Sequence, residues 1–352
     1  MNIFQSKTGA VIGLDIGSGA VKIVQLSRSG RGYKVDYFAH EPLPKGALAD
    51  GNINDAEVVS ETIRRAVQRA NAKTKHCVVA VSGSSIINRV INLPASLNDS
   101  ELESRIELEA GQHIPYPLDE VNMDFEVIGP APRNAELIEV LLVASRKENI
   151  DLRRAVVEDA GLVPKVVDVE AFAVANAYEH LIATREGIPP DQTIALLDIG
   201  SNSTSLVVVT EGRLLYTREQ PFGGRSLQDE IQRRYGDEMA DYDFSSAVPL
   251  PPGFEDEVIE PFKQQIVQQI SRALQFYASS SNYSAVNRIF LSGGCAAIEG
   301  LGQMVDDELG IPAEMANPIA EMRMAGSVST NLLQHHASAL MVAAGLALRG
   351  FD

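Results

Sequence analysis

Cysteine is almost absent from the 352 residues: Cys77 and Cys295 stand far apart, each in an apolar stretch. That pattern excludes a disulfide framework and a cysteine-based metal site, and it suits a reducing compartment. Long apolar runs are missing too. No 18 consecutive residues are apolar, and the opening MNIFQSKTGAVIGLDIG has no run of signal-peptide length behind a basic start, so the expectation is a soluble, cytoplasmic protein. The stretch Ser338 to Leu348, SALMVAAGLAL, is too short to span a bilayer and has no basic face, which predicts a buried helix. Positive charge is scarce, with 30 Lys and Arg against 47 Asp and Glu, a formal net charge of −17, and no basic run. Such a chain repels nucleic acid and anionic lipid. The remaining composition, 45% apolar and 22% charged, is that of an ordinary globular protein and predicts folded structure over most of the chain. Its length predicts about two or three domains.

The most informative feature is a repeat. LDIGSGAVKIV at Leu14 to Val24 returns as LDIGSNSTSLV at Leu197 to Val207, 183 positions later. In each copy a β-branched run (Ala10 to Leu14; Thr193 to Leu197) delivers an Asp, small residues form a turn, and a second apolar run follows (Val21 to Leu26; Ser205 to Val209). Two such hairpins at symmetric positions predict two related α/β halves, each built on its own sheet.

The intervening segments predict the organisation. Residues 8–85 and 166–192 form the first-half core, interrupted at 86–165 by a strand-helix-strand-strand insert whose helix starts at an Asn98 cap. Residues 193–224 and 285–336 form the second-half core around a helical insert at 225–284, and 337–352 is a C-terminal helix returning to the first half. Glu101, Glu103, Glu107 and Glu109 read as a solvated helix face. His113 is expected near the interface of insert and first half. His335-His336 has no carboxylate or Cys on its helix face and reads as an exposed helix start rather than a metal pair.

A nucleotide triphosphate needs what the two turns contain. Glycines let the backbone approach phosphates and aim N–H groups at them, and a carboxylate holds a hydrated Mg²⁺. Asp15 with Gly17, Ser18 and Gly19 meets these needs on one side; Asp198 with Gly200, Ser201, Asn202 and Ser203 meets them on the other. Lys22 can reach a β- or γ-phosphate. Asp and Gly also make ordinary tight turns, and one copy alone would say no more than that; two facing copies favour a phosphate clamp between the halves. Gly223-Gly224 opens a helix, and Gly293-Gly294, between an apolar strand and a helix, suits close approach of a nucleoside.

The order Asp15-x-Gly-Ser-Gly-x-x-Lys22, Asp168-Val-Glu170-Ala171, Asp198-x-Gly200 and Ser292-Gly293-Gly294 resembles the actin, sugar-kinase and heat-shock-chaperone ATPase superfamily. The insert's place between Gly83 and Lys165 is similar to that in the cell-division protein FtsA. Gly13-Leu-Asp-Ile-Gly-Ser, Leu93-Pro94, Gln112-x-Ile-Pro115, Pro164-x-x-Val167-Asp168-Val-Glu170 and Gly223-Gly224-Arg225 resemble the PilM family of type IV pilus assembly over nearly the whole chain. The resemblance implies duplicated actin-like, ribonuclease H-like domains. It implies ATP and Mg²⁺ as ligands, with the cation held through water by Asp15 and Asp198, Glu170 at the attacking water, and Gly224, Gly293 and Gly294 around the nucleotide. It implies an insert groove for the N-terminal cytoplasmic peptide of PilN, which would place the protein peripherally at the inner membrane, with other pilus motor or platform proteins and self-association as further contacts.

Departures accompany the resemblance. Gln228 stands where relatives carry Thr, the segment Met239 to Ser246 (MADYDFSS) lacks the adenosine-contacting Lys, and Ser201 replaces a carboxylate of hydrolysing relatives, which implies at most a slow ATPase. Glu170 reads equally as an electrostatic cap on a helix from Ala171 to His180. Two other readings share the fold: an FtsA-like filament, which would add a linker and basic amphipathic helix beyond Leu348-Arg349-Gly350-Phe351-Asp352, and a small-molecule kinase, which needs a base in 84–165 that no strand-end Asp supplies.

Overall fold

The computed structural model describes residues 10–30, 32–49, 51–131, 134–236, 239, 251–280 and 284–351. The first repeat folds as the hairpin β1 (Ile12–Ile16) and β2 (Ala20–Ser29), continued by β3 (Gly32–Pro42). A small hairpin, β4 (Leu48–Ala49) and β5 (Asn52–Ile53), precedes α1 (Ala56–Ala70), whose start is capped by Asp55 accepting from the Val58 N–H. Val59, Ile63, Ala66 and Ala70, spaced as one helical stripe, bury α1 on the sheet, and β6 (His76–Val81) follows.

The insert comprises β7 (Ile86–Pro94), α2 (Asp99–His113), β8 (Val121–Ala131) and β9 (Asn134–Arg146), with strand order β7-β9-β8, all antiparallel. Asn98 and Glu101 close a reciprocal capping box on α2, and Leu102, Ile106 and Ala110 seat it against Ile91, Leu93, Val140 and Leu142. Glu101, Glu103 and Glu107 are exposed, Glu109 is half-buried and paired with Arg105, and His113 is exposed at the helix end. The chain returns through α3 (Lys147–Asp159), β10 (Val163–Val169) and α4 (Glu170–Ala177), which widens into a π-helical stretch, Tyr178–Ala183, before α5 (Thr184–Glu186).

The second half repeats the plan with β11 (Ile194–Ile199), β12 (Thr204–Thr210), β13 (Arg213–Gln220), α6 (Gly224–Tyr235), α7 (Glu260–Ser280), β14 (Arg288–Ser292), α8 (Leu301–Leu309) and β15 (Ala313–Met315). Its sheet order, β13-β12-β11-β14-β15, matches β3-β2-β1-β6-β10 of the first sheet strand for strand: an antiparallel meander flanked by two parallel strands. A short β16 (Arg323–Met324) then crosses back to pair with β3, and α9 (Thr330–His335) leads to α10 (Met341–Leu348). Among the described residues no helix is long and apolar enough to cross a membrane.

Side chains alternate along each strand, so Ile194 and Leu196 enter one core while Ala195, Leu197 and Ile199 enter another with α7. The first of these cores joins both sheets through α4 and α10. All eight residues of α10 are buried, in keeping with the buried helix expected of SALMVAAGLAL. Two glycines permit its approach: a Cβ on Gly13 would stand 2.0 Å from the Ala343 carbonyl oxygen, and one on Gly345 would stand 1.8 Å from that of Ala173.

Two expectations shift and a third is not reached by the described residues. Asp15 and Asp198 lie inside β1 and β11 rather than at their ends, paired in register with Lys22 and Ser205. His335 ends α9, which Ser329, accepting from the Leu332 N–H, starts before it, while His336 stands both as the C-cap of α9 and at the start of a short 3₁₀ helix, Ala337–Leu340. Of the segment Met239 to Ser246 all but Met239 lies outside the described residues, as does most of the loop expected at Asp237 to Gly253.

Candidate functional site

The two hairpin turns face each other. Each is closed the same way, by the Gly17 N–H donating to the Ala20 carbonyl (3.1 Å) and the Gly200 N–H to that of Ser203 (2.9 Å). Across the gap the Asn202 N–H donates to Ser18 Oγ at 3.2 Å, and Gly19 faces Ser201 so closely that a Cβ would lie 3.0 Å from that of Ser201. Between the halves opens a cleft of about 560 Å³. It is lined by Asp15, Gly17, Ser18, Gly19 and Lys22 from the first half and by Asp198, Gly200, Ser201, Asn202 and Ser203 from the second, with Glu170, Gly224, Gly293 and Gly294 completing the wall. All fourteen residues that the sequence analysis assigned to nucleotide, cation or attacking water therefore reach one cavity.

The far wall is built by close backbone approach. A Cβ on Gly223 would stand 2.5 Å from the Gly200 carbonyl oxygen, so only glycine lets α6 dock on the second turn; there the Gly224 N–H donates to Gly200 (2.9 Å) and the Arg225 N–H to Ser201 (2.8 Å). Arg225 Nε also donates to Asn202 Oδ1 at 3.1 Å. Gly293 has φ +91°, and a Cβ would be 2.3 Å from the Ile199 carbonyl oxygen. Gly294 is different: an added Cβ meets nothing within 4 Å. The fold demands Gly293, while Gly294 keeps open the space of the cleft.

Charge is concentrated at the turns. Lys22 Nζ donates to Asp15 Oδ2 at 2.7 Å. Burial pulls the Lys22 ammonium down, but Asp15, Asp198 and Glu170 together hold it above its ordinary value. Asp198 is pushed up by burial and by Asp15, against Lys22 and a 3.2 Å hydrogen bond from Ser292 Oγ. Burial pushes the Glu170 carboxyl up to about 8; Arg153 opposes this, while Asp15, Glu219 and Asp198 add to it. Glu170 opens α4 behind an N-cap, Val169, that makes no side-chain cap.

Even with Glu170 protonated, Asp15, Asp198 and Glu219 outnumber Lys22 in the lining of the cleft, an imbalance that a divalent cation would offset. Among the described residues no three His, Cys, Asp or Glu side chains converge on one point. Asp15 and Asp198, which reach the cleft from separate hairpins, could hold a cation that keeps its water shell, as Mg²⁺ does.

Several wall residues escaped sequence reasoning. His40 on β3 stacks on His336 at a ring distance of 3.9 Å and 5° between planes, and both line the cleft. Burial, with His336 and Lys22 nearby, pushes His40 down to about 3. Glu219 and Gln220 come from β13, Gly51 from the β4–β5 turn and Ser82 from the end of β6. None carries a local signal. Arg153, which does not line the cleft but bonds the carbonyl of Gly51, had a faint one, standing on the helical stripe of Ile150, Val156 and Val157, where an apolar residue belongs.

The model of the family described as type IV pilus assembly protein PilM matches residues 13–351. A solved PilM–PilN type IV pilus biogenesis complex contains a chain 28% identical to this one, with 97% of this chain and 98% of that chain covered and a TM-score of 0.80. The cell division protein FtsA of Bacillus subtilis (strain 168) is 23% identical over 356 residues, 87% of this chain and 78% of that protein. The ethanolamine utilization protein EutJ from Carboxydothermus hydrogenoformans shares the fold: its structure is 16% identical, with 96% of this chain and 89% of that chain covered and a TM-score of 0.55.

Proposed function

The chain belongs to the type IV pilus assembly protein PilM family, and from that membership we propose that it is an ATP-binding scaffold that docks the N-terminal cytoplasmic peptide of PilN. The observation that carries the nucleotide reading is the meeting of the two duplicated turns, Ser18 against Asn202, over a cleft whose size suits a small ligand. The N–H groups of Ser18, Gly19, Ser201 and Ser203, in turns that the Gly17 and Gly200 N–H groups close, would hold the phosphates with Lys22. Asp15 and Asp198 would hold hydrated Mg²⁺, which when bound neutralises phosphate charge. Gly224 and Gly293 shape the wall, and Gly294 leaves room for the nucleoside.

Turnover is slow at best. A general base must be ionised, and Glu170, with its carboxyl near 8, holds its proton at neutral pH; Ser201 adds no carboxylate. The main work of the nucleotide is then to favour the closed arrangement of the halves.

The PilN reading is supported by the similarity to a chain solved in a PilM–PilN complex. The insert sheet has two edges, β7 and β8, carrying the exposed apolar residues Val90 and Val127, surface that suits an extended peptide. Through that peptide the protein would sit at the cytoplasmic side of the inner membrane, and contacts with other platform proteins or with a second copy would build on it.

Titration of a fluorescent ATP analogue with Mg²⁺ tests the proposal. Wild type is expected to bind and Asp15→Ala to bind at least about tenfold more weakly, a loss of about 1.4 kcal/mol. Equal binding by the two proteins would sink the assignment of Asp15.

A further inference from the structure

Arg153 is 3% exposed on α3, the helix that follows the insert. Its Nη2 donates to the Gly51 carbonyl at 2.9 Å, but its Nη1 is buried with no hydrogen-bond acceptor. A buried guanidinium with an open donor is costly and calls for an explanation. Of the charges acting on it, Glu170 is the strongest, followed by Asp15. Yet no ion pair within 4.0 Å joins Arg153 to either in this arrangement.

Its anchor explains what it can do. Gly51 is the turn of β4–β5 and lines the cleft, as does Glu170. Both stems of the insert fasten to that turn. On the entry side Ser82 Oγ donates to the Gly51 carbonyl at 3.4 Å and Ser85 Oγ to Asn52 Oδ1 at 3.0 Å; on the exit side stands Arg153 itself, and Ser145 Oγ, near the end of β9, ties the stems by donating to the Ser85 carbonyl at 2.9 Å.

We infer that Arg153 is a positioning residue linking the cleft to the insert: when a polyphosphate with its divalent cation fills the cleft, the open Nη1 donor pairs with Glu170 and draws the stems with it. Phosphate oxygens draw on the Lys22 ammonium, which Glu170 also attracts, and leave Arg153 as the cation facing Glu170. This inference rests on the nucleotide reading above.

Hydrogen exchange of the full chain with and without Mg²⁺ and the non-hydrolysable ATP analogue AMPPNP separates the two. In wild type, slowed exchange is expected at the turns 15–22 and 198–203 and also at the stems 82–86 and 145–157, the latter by about fivefold or more. Arg153→Met is expected to keep the response of the turns and lose that of the stems. Arg153→Lys, which keeps the charge but replaces the planar guanidinium fork that spans two acceptors with a single, shorter-reaching nitrogen, is expected to do the same and decides the matter should the Met variant not fold. Stem protection that persists in a variant with protected turns overturns the relay alone, as does wild-type protection confined to the turns. Wild-type turns without protection remove the nucleotide reading and the relay with it.

Discussion

Lys22 owes its surroundings to register. Hairpin pairing sets it opposite Asp15, while the equivalent place in the second half, opposite Asp198, is Ser205. The duplication therefore leaves one lysine to serve two aspartates, with Glu170 as a third acid. Glu170 gives a pH signature. Its carboxyl binds a proton more tightly in the fold, at about 8, than in the unfolded chain, near 4.5, so its contribution to stability is complete below about 4.5 and is lost as pH rises toward 8. Glu170→Gln cannot ionise. Its melting temperature minus that of wild type is expected to grow from pH 5 to pH 8, and a difference that stays flat would show that the carboxyl titrates normally.

At the scale of elements, glycine separates folding from ligand approach. Gly345 lets α10 cross α4, and a methyl group there would collide with the Ala173 carbonyl. Gly345→Ala is expected to lower unfolding free energy by about 1–3 kcal/mol in urea titrations, in the range of overpacked cores. Gly294 has no such neighbour. Gly294→Ala should melt like wild type yet bind the ATP analogue about tenfold more weakly, a 1.4 kcal/mol difference; unchanged binding would remove Gly294 from the nucleoside wall. Sequence reasoning read the elements that carry their own signals: the repeated hairpins, the Asn98 cap and the glycines opening α6. It missed β3 and β13, the third strands of each meander, whose half-buried residues blur the alternation.

For the whole molecule, the two sheets share one core through α4 and α10, so a ligand gripping both turns acts on a body whose halves are already joined at the rear. Closure then costs little reorganisation there and can be felt at the insert. Affinity for a PilN N-terminal peptide is expected to rise about fivefold or more when Mg²⁺ and the ATP analogue are present, the lower end of ordinary coupling energies. Isothermal titration with and without nucleotide measures it, and identical affinities would mean that the scaffold and the nucleotide site are independent.

The sequence by itself determined the duplicated actin-like architecture, because hairpin pairing, helix caps and glycine turns are set by neighbours a few residues apart. It also named fourteen cleft residues, since a turn of Asp, Gly and Ser is written locally. Only the tertiary structure decided which charges meet. Burial raised Glu170, and the fold stacked His40 on His336. The reach of Arg153 to Gly51, across 102 positions, is of the same kind. Electrostatics and desolvation depend on distance in space, and no spacing along the chain encodes that distance.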